Sequence, residues 1–247
     1  MPNSQYPLHR PELSELLRTG DATLRQAMGP PLLRREGETL VRTGEESEEV
    51  YLLESGWTAR TRMLTDGRQQ IILVFLPGDL MGIKSMLLNR QPDTIECLTD
   101  VSVRTIDHRR LLDLSTQDRA VGVRVMFQLA EDERRTHNWV AALGKGNAEE
   151  RIATLLLDLR GRLSRAGLAS GDNFRMPMTQ QEIADHLGLT LVHVNRVLRR
   201  MRETGVVTVQ RGAVKVDEMA RLSRMAAPLQ DIFERANPEF GGQAESA

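Results

Sequence analysis

The spacing of hydrophobic and polar positions changes near residue 108. Before that point short β-rich runs alternate between apolar and polar residues, and glycines 11 or 12 residues apart separate them, at Gly44, Gly56, Gly67 and Gly78. Regularly spaced short runs with turn residues between them are typical of an all-β sandwich or barrel. The sequence therefore predicts a β domain in the first half of the chain, after a helix at about 11–28.

Turn residues indicate where the predicted strands end. Asp66-Gly67 is a two-residue hairpin signal, because glycine tolerates the positive φ that such a turn needs. Pro77-Gly78-Asp79 ends the most apolar run of the chain, 71–76. The predicted strands are 50–53, 58–64, 70–76, 93–98 and 102–107.

After residue 108 the hydrophobic spacing becomes helical. A short helix is predicted at 108–114 and a long one at about 120–143, interrupted by a polar block at 131–137. A helix of about 24 residues is long for a globular core and fits a dimer seam that links two domains. Gly144-Lys145-Gly146 then marks a boundary, and an amphipathic helix is predicted at 148–163.

Composition places the chain among globular proteins. It has 247 residues, of which 40% are hydrophobic and 27% charged, enough for one large domain or two ordinary ones. No apolar run approaches the length of a membrane span, and the first residues lack the apolar segment of a signal peptide. The single cysteine, Cys97, excludes a disulfide framework and a multi-cysteine metal site. We expect a soluble cytoplasmic protein with no membrane association, no metal and no resident cofactor.

The net charge of −1 conceals an uneven distribution. Residues 1–118 carry 14 basic and 18 acidic residues, whereas 179–225 carry eight basic and five acidic ones. Within 191–202 there are four arginines and no acidic residue. Such a stretch is typical of an element that binds a polyanion, although a solvated helix face has the same composition.

The segment 179–199 has the pattern of a helix-turn-helix. Thr179 and Glu182 form a capping box that starts one helix at Gln180, Gly188 permits a tight turn, and Thr190 caps a second helix. Small and apolar residues at helical spacing face a shared core, namely Ile183, Ala184, Leu187, Val194, Val197 and Leu198. Two following runs, 206–210 and 213–216, are joined by Arg211-Gly212 and predict the hairpin of a wing.

The order of these parts resembles the Crp/Fnr superfamily of dimeric transcription regulators, over about residues 20–222. The resemblance rests on the glycines of the first half, the PGDLMG segment at 77–82, the long helix, ERIA at 150–153, and 179–201. It implies an α+β fold that begins with a jelly-roll-like β-roll. The implied parts are a sensor domain (1–118), a dimerisation helix and hinge (119–146), a winged helix-turn-helix DNA-binding domain (147–222) and a C-terminal tail (223–247).

The resemblance also implies which residues read DNA. Arg196 stands where the family has an arginine, and can pair with the O6 and N7 atoms of guanine. Val192 replaces the usual glutamate, so it can meet a thymine methyl group but cannot accept a hydrogen bond from cytosine N4. Asn195 and His193 are either polar contacts or ordinary exposed residues, and Arg202 is a further candidate for a phosphate contact. The candidate DNA-binding residues are Thr179, Gln180, Thr190, Val192, His193, Asn195, Arg196, Arg199, Arg200 and Arg211.

The family's cyclic-nucleotide residues are not matched. Gly82 is followed by Ile83 where the family has a ribose-binding glutamate, and Asp93-Thr94 stands where an arginine binds the cyclic phosphate. A carboxylate repels a phosphodiester, so cAMP bound in the usual way is not expected, and Lys84 or Arg90 could compensate only in a rearranged loop. The lack of a cysteine cluster excludes the iron–sulfur branch of the family.

Several ways of sensing remain open. An unknown small effector could lie between the β-roll and the long helix, although His137 could equally be a polar residue of the dimer seam. Haem through His108 or His137, a thiol switch at Cys97 (or an inert buried thiol there), and control by the protein's own abundance are the alternatives. The candidate effector residues are Met63, Phe75, Gly82, Lys84, Thr94, Thr136 and His137, with Trp139 as an apolar neighbour.

The sequence predicts a homodimer that binds a palindromic double-stranded DNA site, with half-sites about one helical turn apart. RNA polymerase is an expected further partner. The alternative is a ligand-sensing module that acts through a protein partner. An enzyme is not expected, because the five histidines are dispersed and no nucleophile–base spacing stands out. The last residues, 237–247, are expected to be disordered.

Overall fold

A computed structural model describes residues 11–88 and 90–234. These residues form two compact units, one that ends at Glu133 and one that begins at Arg134. The elements are α1 (Pro11–Ala27), β1 (Leu32–Arg34), β2 (Thr39–Val41), β3 (Glu49–Ser55), β4 (Thr58–Met63), β5 (Gln69–Phe75), β6 (Leu80–Met81), α2 (Ile83–Leu87), β7 (Thr94–Cys97), β8 (Val101–Asp107), α3 (His108–Gln117), α4 (Arg119–Lys145), α5 (Ala148–Arg165), β9 (Ala169–Ser170), β10 (Asn173–Arg175), α6 (Gln180–Leu187), α7 (Leu191–Glu203), β11 (Val207–Gln210), β12 (Ala213–Val216) and α8 (Met219–Glu234).

The first unit contains two four-stranded antiparallel sheets. Their strand orders are β1-β8-β3-β6 and β2-β7-β4-β5. Leu53 and Val103 from the first sheet pack with Phe75 and Ile95 from the second in one buried cluster. Burial of this apolar surface contributes about 25 cal/mol per Å² to stability. The β domain predicted from the glycine spacing is therefore confirmed as a β-roll.

Helices cover the outer face of the first sheet. Leu24 of α1 and Val121 of α4 pack against Val50 and Leu52 of β3 in a second buried cluster. The intervening Tyr51 points into the cluster between the sheets. Both faces of β3 are thus buried, which explains why its sequence is a continuous apolar run rather than an alternating one.

The predicted strands and helices of this unit are confirmed to within about two residues at most ends. Three short strands, β1, β2 and β6, and the one-turn helix α2 were not predicted. Elements of two to five residues are too short to show a hydrophobic period. The long helix is confirmed as α4, a continuous helix of 27 residues. The predicted domain boundaries at its two ends stay predictions.

The second unit is built on α5. Asn147 caps this helix, and Glu150 completes a capping box by accepting from the Asn147 backbone N–H. A small sheet follows, with strand order β11-β12-β10-β9. The wing is confirmed as the β11–β12 hairpin, whose turn holds Arg211 at φ +50° and Gly212 at φ +73°.

Helix α8 was not predicted. It runs from Met219 to Glu234 and packs against α5, so the segment expected to be a tail from residue 223 begins inside a helix. Pro228 lies within this helix and removes one backbone hydrogen-bond donor, and proline is unfavourable inside a helix. Residues 237–247, which were expected to be disordered, lie outside the described residues. Within the described part of the chain, no helix has the length and hydropathy of a membrane span.

Candidate nucleic-acid interface

The two helices of the motif begin and end where the sequence predicted. The Thr179 side chain accepts from the Glu182 N–H (3.2 Å), and the Glu182 carboxylate accepts from the Thr179 N–H (2.6 Å), which starts α6 at Gln180. Gly188 ends α6 in the left-handed conformation, at φ +60°. The Thr190 side chain accepts from the His193 N–H (3.2 Å) and caps α7.

The apolar residues predicted to face the shared core are buried. They are Ile183, Ala184 and Leu187 from α6, and Val194, Val197 and Leu198 from α7. His186 is buried as well, with its ring edge-on to Trp139 at a centroid distance of 4.6 Å. This pair was not predicted, because the sequence pattern around a single histidine on a helix does not indicate that it is buried.

The predicted base-reading residues and Arg199, a predicted phosphate contact, share one exposed face of α7. Val192, Asn195, Arg196 and Arg199 follow the i, i+3, i+4, i+7 spacing of a single helix face, and all four are exposed. Val192 is 73% exposed, although it is apolar. Within the described residues, Arg196 makes no ion pair or hydrogen bond, so its guanidinium is available to a ligand. The helix therefore presents an apolar contact, an amide and a cation side by side.

Intramolecular contacts orient three of the other side chains. The Asn195 amide donates to Oε1 of Gln180 (3.1 Å) on α6. Arg199 donates to Glu203 (2.7 Å), which lowers the pKa of that carboxyl group, and Arg200 donates to Glu149 (2.6 Å). Both ion pairs are solvent-exposed and contribute little to stability, so either arginine can exchange its carboxylate for a phosphate.

The remaining DNA-binding candidates flank this face. Thr179 and Gln180 are exposed at the N-terminal end of α6, where backbone N–H groups favour an anion. Thr190 and His193 are exposed at the start of α7. Arg211 is exposed in the turn of the wing.

Arg151, from the ERIA segment, fixes the position of the motif. Its guanidinium donates to three backbone carbonyl oxygens, those of Leu143 (2.8 Å), Gly146 (2.8 Å) and Leu187 (3.0 Å). These carbonyls lie at the end of α4, in the turn before α5, and at the end of α6. The ERIA segment is part of the family resemblance, but the contacts of Arg151 were not predicted, because they join elements far apart in the chain.

Two of the candidate effector residues, Gly82 and Lys84, line one small pocket. Its volume is about 10 Å³, and its other lining residues are Arg60, Gln91, Pro92, Asp93 and Ile95. Phe75 is in the core, Met63 is 61% exposed, and the Thr94 hydroxyl lies 3.0 Å from that of Thr43. Thr136 and His137 belong to the second unit, where Thr136 is half-buried and His137 exposed.

Asp93 lies among cations. The sequence has this acidic residue where the family has a phosphate-binding arginine, which predicts that cAMP does not bind in the usual way, and in the structure the residue is 5% exposed with three basic side chains near its carboxylate. Arg62 lies 2.6 Å away, Lys84 3.6 Å and Arg60 3.9 Å. Burial, followed by the nearby Arg60, lowers the pKa of Lys84.

The other sensing candidates lie apart. Cys97 is buried in the β-roll, and burial raises the pKa of its thiol to about 11. His108 lies 3.2 Å from the Ser85 hydroxyl in the first unit, whereas His137 is in the second. In the described ranges, no three His, Cys, Asp or Glu side chains are grouped as a metal site.

Two family models match the chain. A cyclic nucleotide-binding domain matches residues 34–118, and a Crp-like helix-turn-helix domain matches residues 150–225. The transcriptional activator protein FnrA of Stutzerimonas stutzeri is 33% identical over 204 residues, which are 82% of either chain. The transcriptional activator protein Anr of Pseudomonas aeruginosa is 32% identical over 199 residues, 80% of either chain.

Solved structures show the same architecture. FixK2 from Bradyrhizobium japonicum matches with a TM-score of 0.72 and 28% identity, over 79% of this chain and 96% of that one. A transcriptional regulator of the CRP family from Thermus thermophilus matches with a TM-score of 0.66 and 27% identity, over 79% of this chain and 96% of that one.

A β-roll, a long helix and a helix-turn-helix with an arginine-bearing exposed face define a DNA-binding transcription regulator. The relatives share that class and are named as regulators rather than enzymes. The chain belongs to the Crp/Fnr superfamily.

Proposed function

We propose that the protein is a homodimeric transcription regulator that recognises a palindromic DNA site through the exposed face of α7. The observation that carries this proposal is the exposed row of Val192, Asn195 and Arg196 on a helix held by a complete helix-turn-helix core. A recognition helix of this kind enters the major groove with such residues on the base edges.

Each of the three residues has a base that suits it. Arg196 is unpaired within the described residues and matches the two acceptors of guanine, a contact worth about 1–3 kcal/mol of discrimination. Val192 matches the thymine methyl group. Asn195, with one N–H held by Gln180, retains its carbonyl oxygen and a second N–H, the pair that reads adenine N6 and N7.

The flanking residues supply phosphate contacts that position the helix without reading sequence. Arg199, Arg200 and Arg211 provide charge, and Thr179, Gln180 and the Thr190 hydroxyl provide neutral contacts. His193 extends the same surface at the first turn of α7. The affinity contributed by the arginines falls as salt concentration rises, because phosphate binding releases counterions.

The dimer is proposed from the exposed side of α4. Residues 123, 126, 130, 133, 137 and 140 follow an alternating 3–4 spacing, which is the seam spacing of a two-stranded coiled coil. Met126 and Val140 on this stripe are 62% and 63% exposed in the single chain. A second copy packed along α4 would cover both and would place the two recognition helices on half-sites about one helical turn apart.

Transcription regulation implies two further features. The DNA-bound dimer would meet RNA polymerase at a promoter, and the protein would work where the chromosome is, in the cytoplasm.

The test is selection of binding sites from a random duplex library with the purified full chain at near-physiological salt. We expect an enriched palindrome with guanine opposite Arg196 and thymine opposite Val192. Arg196→Ala should lose the guanine preference, with about 5- to 150-fold weaker binding to the selected site. Arg68→Ala removes an equally exposed arginine from the β4–β5 turn and serves as the control.

Absence of an enriched site, together with unchanged regulation by Arg196→Ala in cells, would reject DNA reading by α7. That outcome would favour a module that acts through a protein partner.

A further inference from the structure

A group of charged side chains in the first unit surrounds Asp93. The Asp93 carboxylate is in the loop before β7, and its residue is 5% exposed. Arg60 and Arg62 reach it from β4, and Lys84 reaches it from α2, at the distances given above. Two separate elements, β4 and α2, thus direct three cations to one carboxylate.

The Asp93 carboxylate also compensates the charges of the basic side chains around it. Arg60 is itself 5% exposed and lies 3.9 Å from Asp93 and 2.7 Å from Asp132, so loss of Asp93 would leave this buried charge with one carboxylate in place of two. Removal of Asp93 would leave Arg60 and Lys84 facing each other beside a space the size of a carboxylate. The cluster therefore has the properties of an anion site, with its anion supplied by the chain.

The pocket beside Asp93 shows a further unused donor. Gln91 lines this pocket with Arg60, Lys84 and Asp93, and is 4% exposed. Its side-chain amide nitrogen is buried and has no hydrogen-bond partner among the described residues. The pocket thus holds a buried donor that no described acceptor satisfies, beside the cations that face Asp93.

The cluster is joined to α4 through Arg60. The Arg60 guanidinium donates to Oδ2 of Asp132 on α4, at 2.7 Å. The other oxygen of Asp132 accepts from Gln128 (2.9 Å), whose own oxygen accepts from the backbone N–H of Leu80 (3.0 Å). Arg60 therefore lies between the Asp93 loop and a hydrogen-bonded row on the long helix.

We propose that Asp93 is a built-in anionic ligand of the β-roll. Its carboxylate occupies the site formed by Arg60, Arg62 and Lys84, and it holds Arg60 in place to bind Asp132 on α4. The junction between the β-roll and the first half of α4 is then complete without an external anion. An effect of this site on DNA binding through α4 rests on the proposed function, whereas the anion site itself does not.

Chemical rescue tests this proposal. Asp93→Gly removes a carboxymethyl group, which added acetate can replace atom for atom. We expect the variant to unfold about 5 °C or more below the parent, and acetate to raise its midpoint more than chloride does at equal ionic strength. The parent measures the general difference between the two salts, and the variant should gain more from acetate than that difference. A variant whose acetate–chloride difference equals that of the parent would overturn the proposal.

A second pair of variants keeps the test decisive if Asp93→Gly does not fold. Asp93→Asn preserves the shape of the side chain but removes its charge, and Lys84→Gln removes one of the facing cations. We expect Lys84→Gln to restore part of the thermal midpoint lost in Asp93→Asn, although it lowers the midpoint of the parent. Additive effects of the two substitutions would reject the anion site.

DNA binding is measured separately, on the site selected with the parent. In Asp93→Gly it should weaken and recover with acetate in parallel with the unfolding midpoint. A parent that binds no DNA, together with acetate rescue of folding, would reject the proposed function and leave the anion site intact. Rescue of folding with unchanged DNA binding would reject only the effect on DNA binding.

Discussion

Arg151 donates a hydrogen bond from its guanidinium to the backbone carbonyl oxygen of Leu187, 3.0 Å away at the last residue of α6. The carbonyls at the end of a helix have no partner within the helix, so this bond satisfies one of them. The same guanidinium binds two carbonyls near the end of α4. One side chain thus sets the position of the helix-turn-helix on the helix that supports it.

Arg151→Met should destabilise the second unit. The substitution retains the apolar stem but leaves three carbonyls without their charged donor, and hydrogen bonds to charged groups contribute about 1.5–3 kcal/mol each. We expect a loss of about 2–3 kcal/mol, measured by hydrogen exchange of amides in α5 and α6. Arg160→Met removes an exposed pair with Asp172 from the same helix and should cost at most about 1 kcal/mol. Equal losses in the two variants would contradict this role of Arg151.

Gly20 and Gly144 should respond oppositely to the same substitution. A Cβ atom on Gly20 of α1 would lie 2.1 Å from the backbone oxygen of Ala120, so Gly20→Ala must separate α1 from α4. We expect a loss of about 1–3 kcal/mol in denaturant unfolding. Gly144 lies in α4 with nothing within 4 Å of the added atom, and Gly144→Ala should gain about 0.5–1 kcal/mol. A stabilising Gly20→Ala would show that the two helices are not in close contact.

The exposed stripe of α4 should control the oligomeric state. Met126→Glu and Val140→Glu each place a charge in the proposed seam, and we expect both to produce monomers in analytical ultracentrifugation at concentrations where the parent is a dimer. Leu33→Glu alters a residue that is 79% exposed on β1, outside the stripe, and should leave the dimer intact. Dimers of unchanged affinity in both seam variants would place the interface elsewhere.

Cys97 should be unreactive in the folded protein. Burial raises its pKa from 9.0 to about 11, so the reactive thiolate is about 100-fold scarcer at pH 8 than for an exposed thiol. We expect iodoacetamide to label the chain at least about 100-fold faster in urea than in buffer. The same shift lowers stability between pH 9.0 and about 11, because only the unfolded thiol ionises in that window. Fast labelling of the folded chain would instead support a thiol switch.

The sequence was sufficient for the parts of the fold that depend on local pattern. The capping box at Thr179 and the glycine at 188 act within a few residues, and the structure has both as predicted. Gly67 has the predicted positive φ, +86°, but residues 64–68 separate β4 from β5, so the turn is longer than the two-residue turn predicted. The helix-turn-helix and the exposed position of Arg196 followed from the same local signals. Short strands and the proline-containing α8 gave no such signal.

Residues that act across long sequence distances were missed or misjudged. The three carbonyls bound by Arg151 belong to segments up to 36 residues away. The sequence named Lys84 and Arg90 as the cations that could compensate Asp93, and Lys84 lies 3.6 Å from it. Arg60 and Arg62, about 30 residues earlier in the chain, were missed, because strand pairing brings them to Asp93. Only the pairing of β4 with β7 makes that arrangement visible.

The covalent attachment of Asp93 has a consequence for signalling. An anion tethered to the chain has a constant effective concentration at its site, set by the length of the connecting segment rather than by solution conditions. It is not diluted when a metabolite pool shrinks, and a competing anion must displace it at that concentration. Occupancy of this site therefore carries no information about the metabolic state of the cell.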